Sequence, residues 1–124
     1  MSQSTRFQAT FTVLGLLVAL ALLACNKQEA GPKPVEATGL LAITADERGF
    51  TPSAVRVARG AALTLRFTRT TDATCADKVV FPDAGISKDL PLNTAVDIQV
   101  PTDKARTLAF QCGMGMFKSA LVVH

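Results

Sequence analysis

The sequence predicts an all-β domain, a Greek-key β-sandwich, preceded by a signal peptide and a flexible tether. Three observations carry that prediction. Residues 62–70 alternate strictly, with Leu63, Leu65 and Phe67 on one side and Thr64, Arg66 and Thr68 on the other. That period belongs to a half-buried antiparallel strand. Seven or eight short apolar runs follow one another in about 85 residues, separated by turn residues. Beyond the leader, no stretch of ten residues shows helical spacing.

The leader comes first. Arg6 supplies a positive flank, and the apolar run FTVLGLLVALALLA covers residues 11–24. It is shorter than the roughly 20 residues a bilayer span needs, which disfavours a transmembrane anchor. The run closes on Leu22-Leu23-Ala24-Cys25, which resembles a bacterial lipobox. A small residue at 24 admits the signal peptidase, and the thiol of the new N-terminus takes a diacylglycerol. The resemblance implies that residues 1–24 are removed and that lipidated Cys25 anchors the protein to a membrane facing the periplasm. Asn26, standing where Asp would retain the protein, implies the outer membrane rather than the inner. An exported chain occupies an oxidising compartment.

Residues 25–38 read as the tether: NKQEAGPKPVEAT after Cys25 is polar, broken by prolines and without periodicity. The folded domain is expected over residues 39–124. Its candidate strands are 40–45, 54–58, 62–70, 78–81, 87–90, 95–100, 107–112 and 118–123. Val55 and Val57 share a face, as do Val96, Ile98 and Val100, and Leu108, Phe110 and Cys112. Pro52, Pro82, Pro91 and Pro101 all fall between strands, where a missing amide costs no ladder bond.

Composition narrows the function classes. The formal net charge is +3, falling to about +2 once Arg6 leaves with the leader, and no block of Lys and Arg marks a nucleic-acid footprint. Trp and Tyr are absent, which removes the usual base-stacking platforms. Phe remains available for stacking, but no nucleic-acid partner is expected. A mature chain of about 100 residues suffices for one core, and a monomer is expected.

The chemistry lies in the sulfurs. After Cys25, the soft donors are Cys75, Cys112, Met114 and Met116, three of them in the run Cys112-Gly113-Met114-Gly115-Met116. Glycines between the donors permit a tight turn on which side chains can converge. Thiolate and thioether sulfur select soft ions, above all Cu(I). Cys75, in the loop after the 62–70 strand, is positioned to reach the same end of a sandwich.

These segments resemble the cupredoxin fold, and specifically the EfeO-type cupredoxin-like domains of exported bacterial proteins. The matching pieces are FTPSAVRVARGAALTLRF at 50–67, Cys75, VVFPDAGISKDLPL at 79–92 and FQCGMGMFKSALVV at 110–123. In cupredoxins one ligand follows the strand that corresponds to 63–70, and two or three more lie in the loop between the last two strands. The resemblance thus implies copper as the cofactor, with Cys75, Cys112 and Met116 as ligands and Met114 as a weaker one. The departure from the family is the missing imidazole. Blue-copper centres use two His, one Cys and an axial Met, but the chain has one histidine, His124, its last residue. Eight residue steps of strand beyond Met116 carry it about 25 Å away, to the opposite end of the sandwich.

Two other readings stay open at this stage. Cys75 and Cys112 are also a candidate disulfide, which would close a loop of some 37 residues and stabilise the domain by about 3–4 kcal/mol. Met114 and Met116 would then be gap-filling residues of a metal-free structural or interaction domain. An arrangement bonded when empty and open when loaded fits as well. The third reading is an electron carrier with an unusual centre. Catalysis is not expected: no His stands near an acid, Asp72, Asp77 and Asp83 lie in loops, and Gly60, Gly85 and Gly113 form no phosphate cradle. The sequence therefore predicts a non-enzymatic envelope protein that holds or delivers copper, its partners being the membrane and a copper-donor or copper-acceptor protein.

Overall fold

A computed structural model describes residues 32–124; the leader, Cys25 and the first part of the tether lie outside the described residues. Among the described residues, ten strands form two sheets. They are β1 (Val35–Glu36), β2 (Gly39–Asp46), β3 (Gly49–Thr51), β4 (Ala54–Val57), β5 (Leu63–Arg69), β6 (Lys78–Phe81), β7 (Ile86–Asp89), β8 (Ala95–Gln99), β9 (Arg106–Cys112) and β10 (Lys118–Val123). One sheet has the order β1-β4-β10-β9-β6-β7 and the other β3-β2-β5-β8. The chain changes sheet after β1, β3, β4, β5, β7 and β8. This is the all-β Greek-key sandwich that the alternation at 62–70 implies.

Two short strands escape the sequence. Val35–Glu36 falls inside the segment assigned to the tether, yet it pairs in parallel with β4, Val35 opposite Val55 and Glu36 opposite Arg56. The next residue, Ala37, is buried, and its amide donates to the Arg56 carbonyl at 2.8 Å. The ordered sheet thus begins before residue 39. Two residues are too few to display a period, and only a neighbouring strand supplies their ladder. The same holds for β3, which pairs antiparallel with the end of β2.

The eight longer strands fall close to their expected places because their alternation reflects real burial. Leu63, Leu65 and Phe67 point inward with Val55, Val57, Ile98, Leu108, Phe110 and Cys112. At the centre, Phe67 meets Phe50 and Phe110 edge-on at centroid distances of 5.6 and 5.9 Å, and Phe81 stacks on Phe110 at 5.3 Å. Burying each such ring contributes about 1.5–3 kcal/mol, with roughly 0.5–1.5 kcal/mol more per well-oriented pair.

The register decides which loops share an end. Parallel pairing sets Ala45 opposite Arg69, so β2 and β5 finish together. Antiparallel pairing sets Val79 opposite Cys112, so β6 begins where β9 finishes. Loops 70–77 and 113–117 therefore emerge side by side with the β2–β3 turn. His124 follows Val123, which lies opposite Arg106 at the start of β9. It occupies the other end.

Candidate metal centre

Cys112 is the last residue of β9 and, by strand parity, faces the core; it is fully buried. The chain then turns sharply. The Gly115 amide donates to the Cys112 carbonyl at 2.9 Å, and Gly115 takes a φ of 70°, a conformation that glycine adopts without a Cβ penalty. The turn closes through Phe117. The Cys112 amide donates to the Phe117 carbonyl at 3.1 Å, and the Phe117 amide donates back to the Cys112 Sγ at 3.4 Å. The Phe117 ring is seated on Gly49, where an added Cβ would come within 2.9 Å of it.

Cys75 arrives from the 70–77 loop, which is tied to the other sheet. The Thr70 amide donates to the Ala45 carbonyl at 3.1 Å, and the Thr74 hydroxyl donates to the Asp46 carbonyl at 2.7 Å. The same hydroxyl accepts the Ala76 amide at 3.1 Å, a local turn that holds Cys75 between two pinned residues. Asp46 is itself braced, since Arg48 gives its carboxylate one bond from the guanidinium and one from the backbone amide, both at 2.8 Å. These bonds hold the Asp46 carboxyl below its ordinary value.

The outcome is that the Cys75 and Cys112 sulfurs stand 3.9 Å apart with no bond between them. Their ionisation is divided. Burial opposes ionisation of Cys112, but the amides of Phe117 and Met116, the Cys75 thiol and the Met114 amide together bring it below the ordinary thiol value. Burial, and then the hydrogen bond and charge of Cys112, push Cys75 up.

Of the residues singled out in the sequence, the fold brings together Cys75 and Cys112. Met114 and Met116 ride on the turn that begins at Cys112, with their side chains 75% and 68% exposed. Cys25 lies outside the described residues. His124 is exposed at the far end, its Nε2 3.3 Å from the Glu36 carboxylate, where the strand arithmetic places it. Thr74, Gly49 and Phe117 position the site but were not legible as such. The hydroxyl next to Cys75 was the one available cue, because Ser and Thr commonly close such turns.

The donor set suits a soft ion. Two sulfurs each about 2.3 Å from a shared ion are separated by 3.9 Å at an angle between tetrahedral and trigonal. No group of three or more His, Cys, Asp or Glu is gathered among the described residues.

Comparison with known proteins agrees with the architecture. The chain belongs to the cupredoxin-like domain family, whose model matches residues 13–123. No curated protein sequence matches it. Among solved structures, it is similar to the metal-binding domain of a Cu(I)-exporting P-type ATPase from Streptococcus pneumoniae D39, determined with Cu(I). That likeness has a TM-score of 0.70 and 22% identity, covering 77% of this chain and 99% of that one. It is also similar to a copper-binding protein solved in solution in its apo form, with a TM-score of 0.69, 23% identity, and 76% and 100% coverage. Auracyanin B follows at a TM-score of 0.52, 11% identity, and 77% and 93% coverage. At these identities the likeness is one of fold.

Proposed function

We propose that this protein holds copper as Cu(I) at the cell envelope and passes it on by ligand exchange. Cys75 and Cys112 are the primary ligands, with Met116 and then Met114 as thioether donors. The observation that carries this reading is the pair of converging thiols 3.9 Å apart at the mouth of a methionine-bearing turn. Two features of the chain support it. Thiolate and thioether sulfur match the softness of Cu(I), and amide hydrogen bonds to the Cys112 Sγ prepare an anionic ligand in a buried place. Family membership and a neighbour described as a Cu(I)-bound domain support copper over other soft ions. The exposed methionines sit where a partner's own sulfur donors can reach, and thioether bonds are weak enough to exchange. The role needs no catalysis and one chain suffices. Lipidation at Cys25 would keep the domain at the membrane surface on its tether, facing the periplasm, with the outer membrane favoured by Asn26. Likeness to EfeO-type domains of exported proteins fits the same location.

The test is competition for Cu(I) against a chromogenic chelator, using fully reduced protein. Wild type is expected to strip the chelator. Cys75→Ser and Cys112→Ser are expected to lose more than about 100-fold in affinity, since even changes beside metal ligands cost 10–100-fold elsewhere. Equal competition by wild type and both variants would overturn the reading.

A further inference from the structure

The two thiols differ in a way that holding a metal does not require. Cys75 is only partly buried on the 70–77 loop, whereas Cys112 is 0% exposed at the end of β9. Cys112 is also the more firmly held, by its backbone bond to Phe117 and by the Phe117 amide on its sulfur. Their sulfurs are 3.9 Å apart, about 2 Å beyond a sulfur–sulfur bond. A reagent in solution thus meets Cys75 first, and Cys112 waits behind it within bonding range after a small movement of the loop.

We propose that Cys75 and Cys112 form an exchanging dithiol whose substrate is an external disulfide, with Cys75 reacting first and Cys112 resolving, and that closure of the pair shuts the copper site. The closing clause rests on the copper-holding reading; the exchange itself does not. In the first step the Cys75 proton passes to the Cys112 sulfur 3.9 Å away and the Cys75 sulfur attacks one sulfur of an external disulfide, forming a mixed disulfide and releasing one external thiolate, which then takes up that proton. In the second, the Cys112 thiolate attacks the Cys75 sulfur, forming the Cys75–Cys112 bond and releasing the second external thiolate. The two protons from the protein thiols end on the two released thiols. Two protein thiols are oxidised and one external disulfide is reduced. The reverse reaction starts at the accessible Cys75 sulfur and expels the Cys112 thiolate, which the Phe117 amide is placed to receive. Closure consumes both thiolates, leaving only thioethers for the metal.

The probe is glutathione disulfide, applied to the reduced full-length protein and followed peptide by peptide by mass spectrometry. Wild type is expected to gain an internal Cys75–Cys112 bond without lasting glutathionylation at either residue. Cys112→Ser should accumulate glutathione on Cys75, at least about tenfold faster than Cys75→Ser accumulates it on Cys112. Cys112→Ala serves as the second variant should the serine disturb the core. Equal rates in the two single variants, or wild type that ends with glutathione on Cys75 and no internal bond, would overturn the exchange. Cu(I) competition before and after oxidation then tests closure: oxidised wild type should lose its competition and regain it with dithiothreitol. Equal binding in both states removes the gate. Failure of the reduced protein to bind Cu(I) removes the copper reading, while the peptide map still decides the exchange.

Discussion

The two ends of the sandwich are built from the same strands and carry opposite chemistry. At one end, β9 delivers a buried thiol onto an interlocked turn, and the 70–77 loop brings a second thiol to it. At the other, β10 delivers an exposed imidazole to an exposed carboxylate, His124 beside Glu36. The first pairing is of two thiols, one of them, Cys112, buried and held by the Phe117 amide. The second is an imidazole–carboxylate contact in solvent, of a kind worth little to stability. Burial and backbone anchoring, rather than proximity alone, separate a candidate centre from a surface contact.

The hardest blow to this contrast is to the core on which both ends stand. Phe110→Ala removes a ring that meets Phe50, Phe67 and Phe81, two residues before Cys112 on the same inner face. Urea denaturation should record a loss of about 3–5 kcal/mol. Next comes the contrast itself. His124→Ala should leave Cu(I) competition unchanged while Cys112→Ser abolishes it. An equal loss in both would mean that the imidazole belongs to the site.

Gly49→Ala tests the anchoring separately from the sulfurs. The added Cβ meets the Phe117 ring at 2.9 Å, and the residue holds a φ of 104°. A loss of about 1–3 kcal/mol is expected, together with faster alkylation of Cys112 as its turn loosens. A smaller effect should follow from pH. The Asp46 carboxyl is held below its ordinary value of 3.8. Its contribution to stability is therefore complete above about pH 4 and lost as pH falls through the lower folded value. Comparing acid unfolding of wild type and Asp46→Asn should show the two converge only at low pH. The smallest effect is at the far end, where His124→Ala should shift stability by no more than about 0.5 kcal/mol at neutral pH.

Much of this molecule is determined locally. Alternation in residues 62–70, Val55 with Val57, and Leu108 with Phe110 and Cys112 mark inner faces because each side chain's burial follows from strand parity alone. The soft character of the 112–116 run and the isolation of His124 follow in the same way, from composition and strand length. Other features needed the assembled fold. Strands β1 and β3 exist because a neighbour supplies their hydrogen bonds, and no two- or three-residue segment announces that. The seating of Phe117 on Gly49 and the tie from Thr74 to Asp46 join residues far apart in the chain. So does the approach of Cys75 to Cys112: the sequence names both thiols, but only the register of β6 against β9 brings them within 3.9 Å. Periodicity is a property of a segment, whereas convergence depends on how segments are stacked.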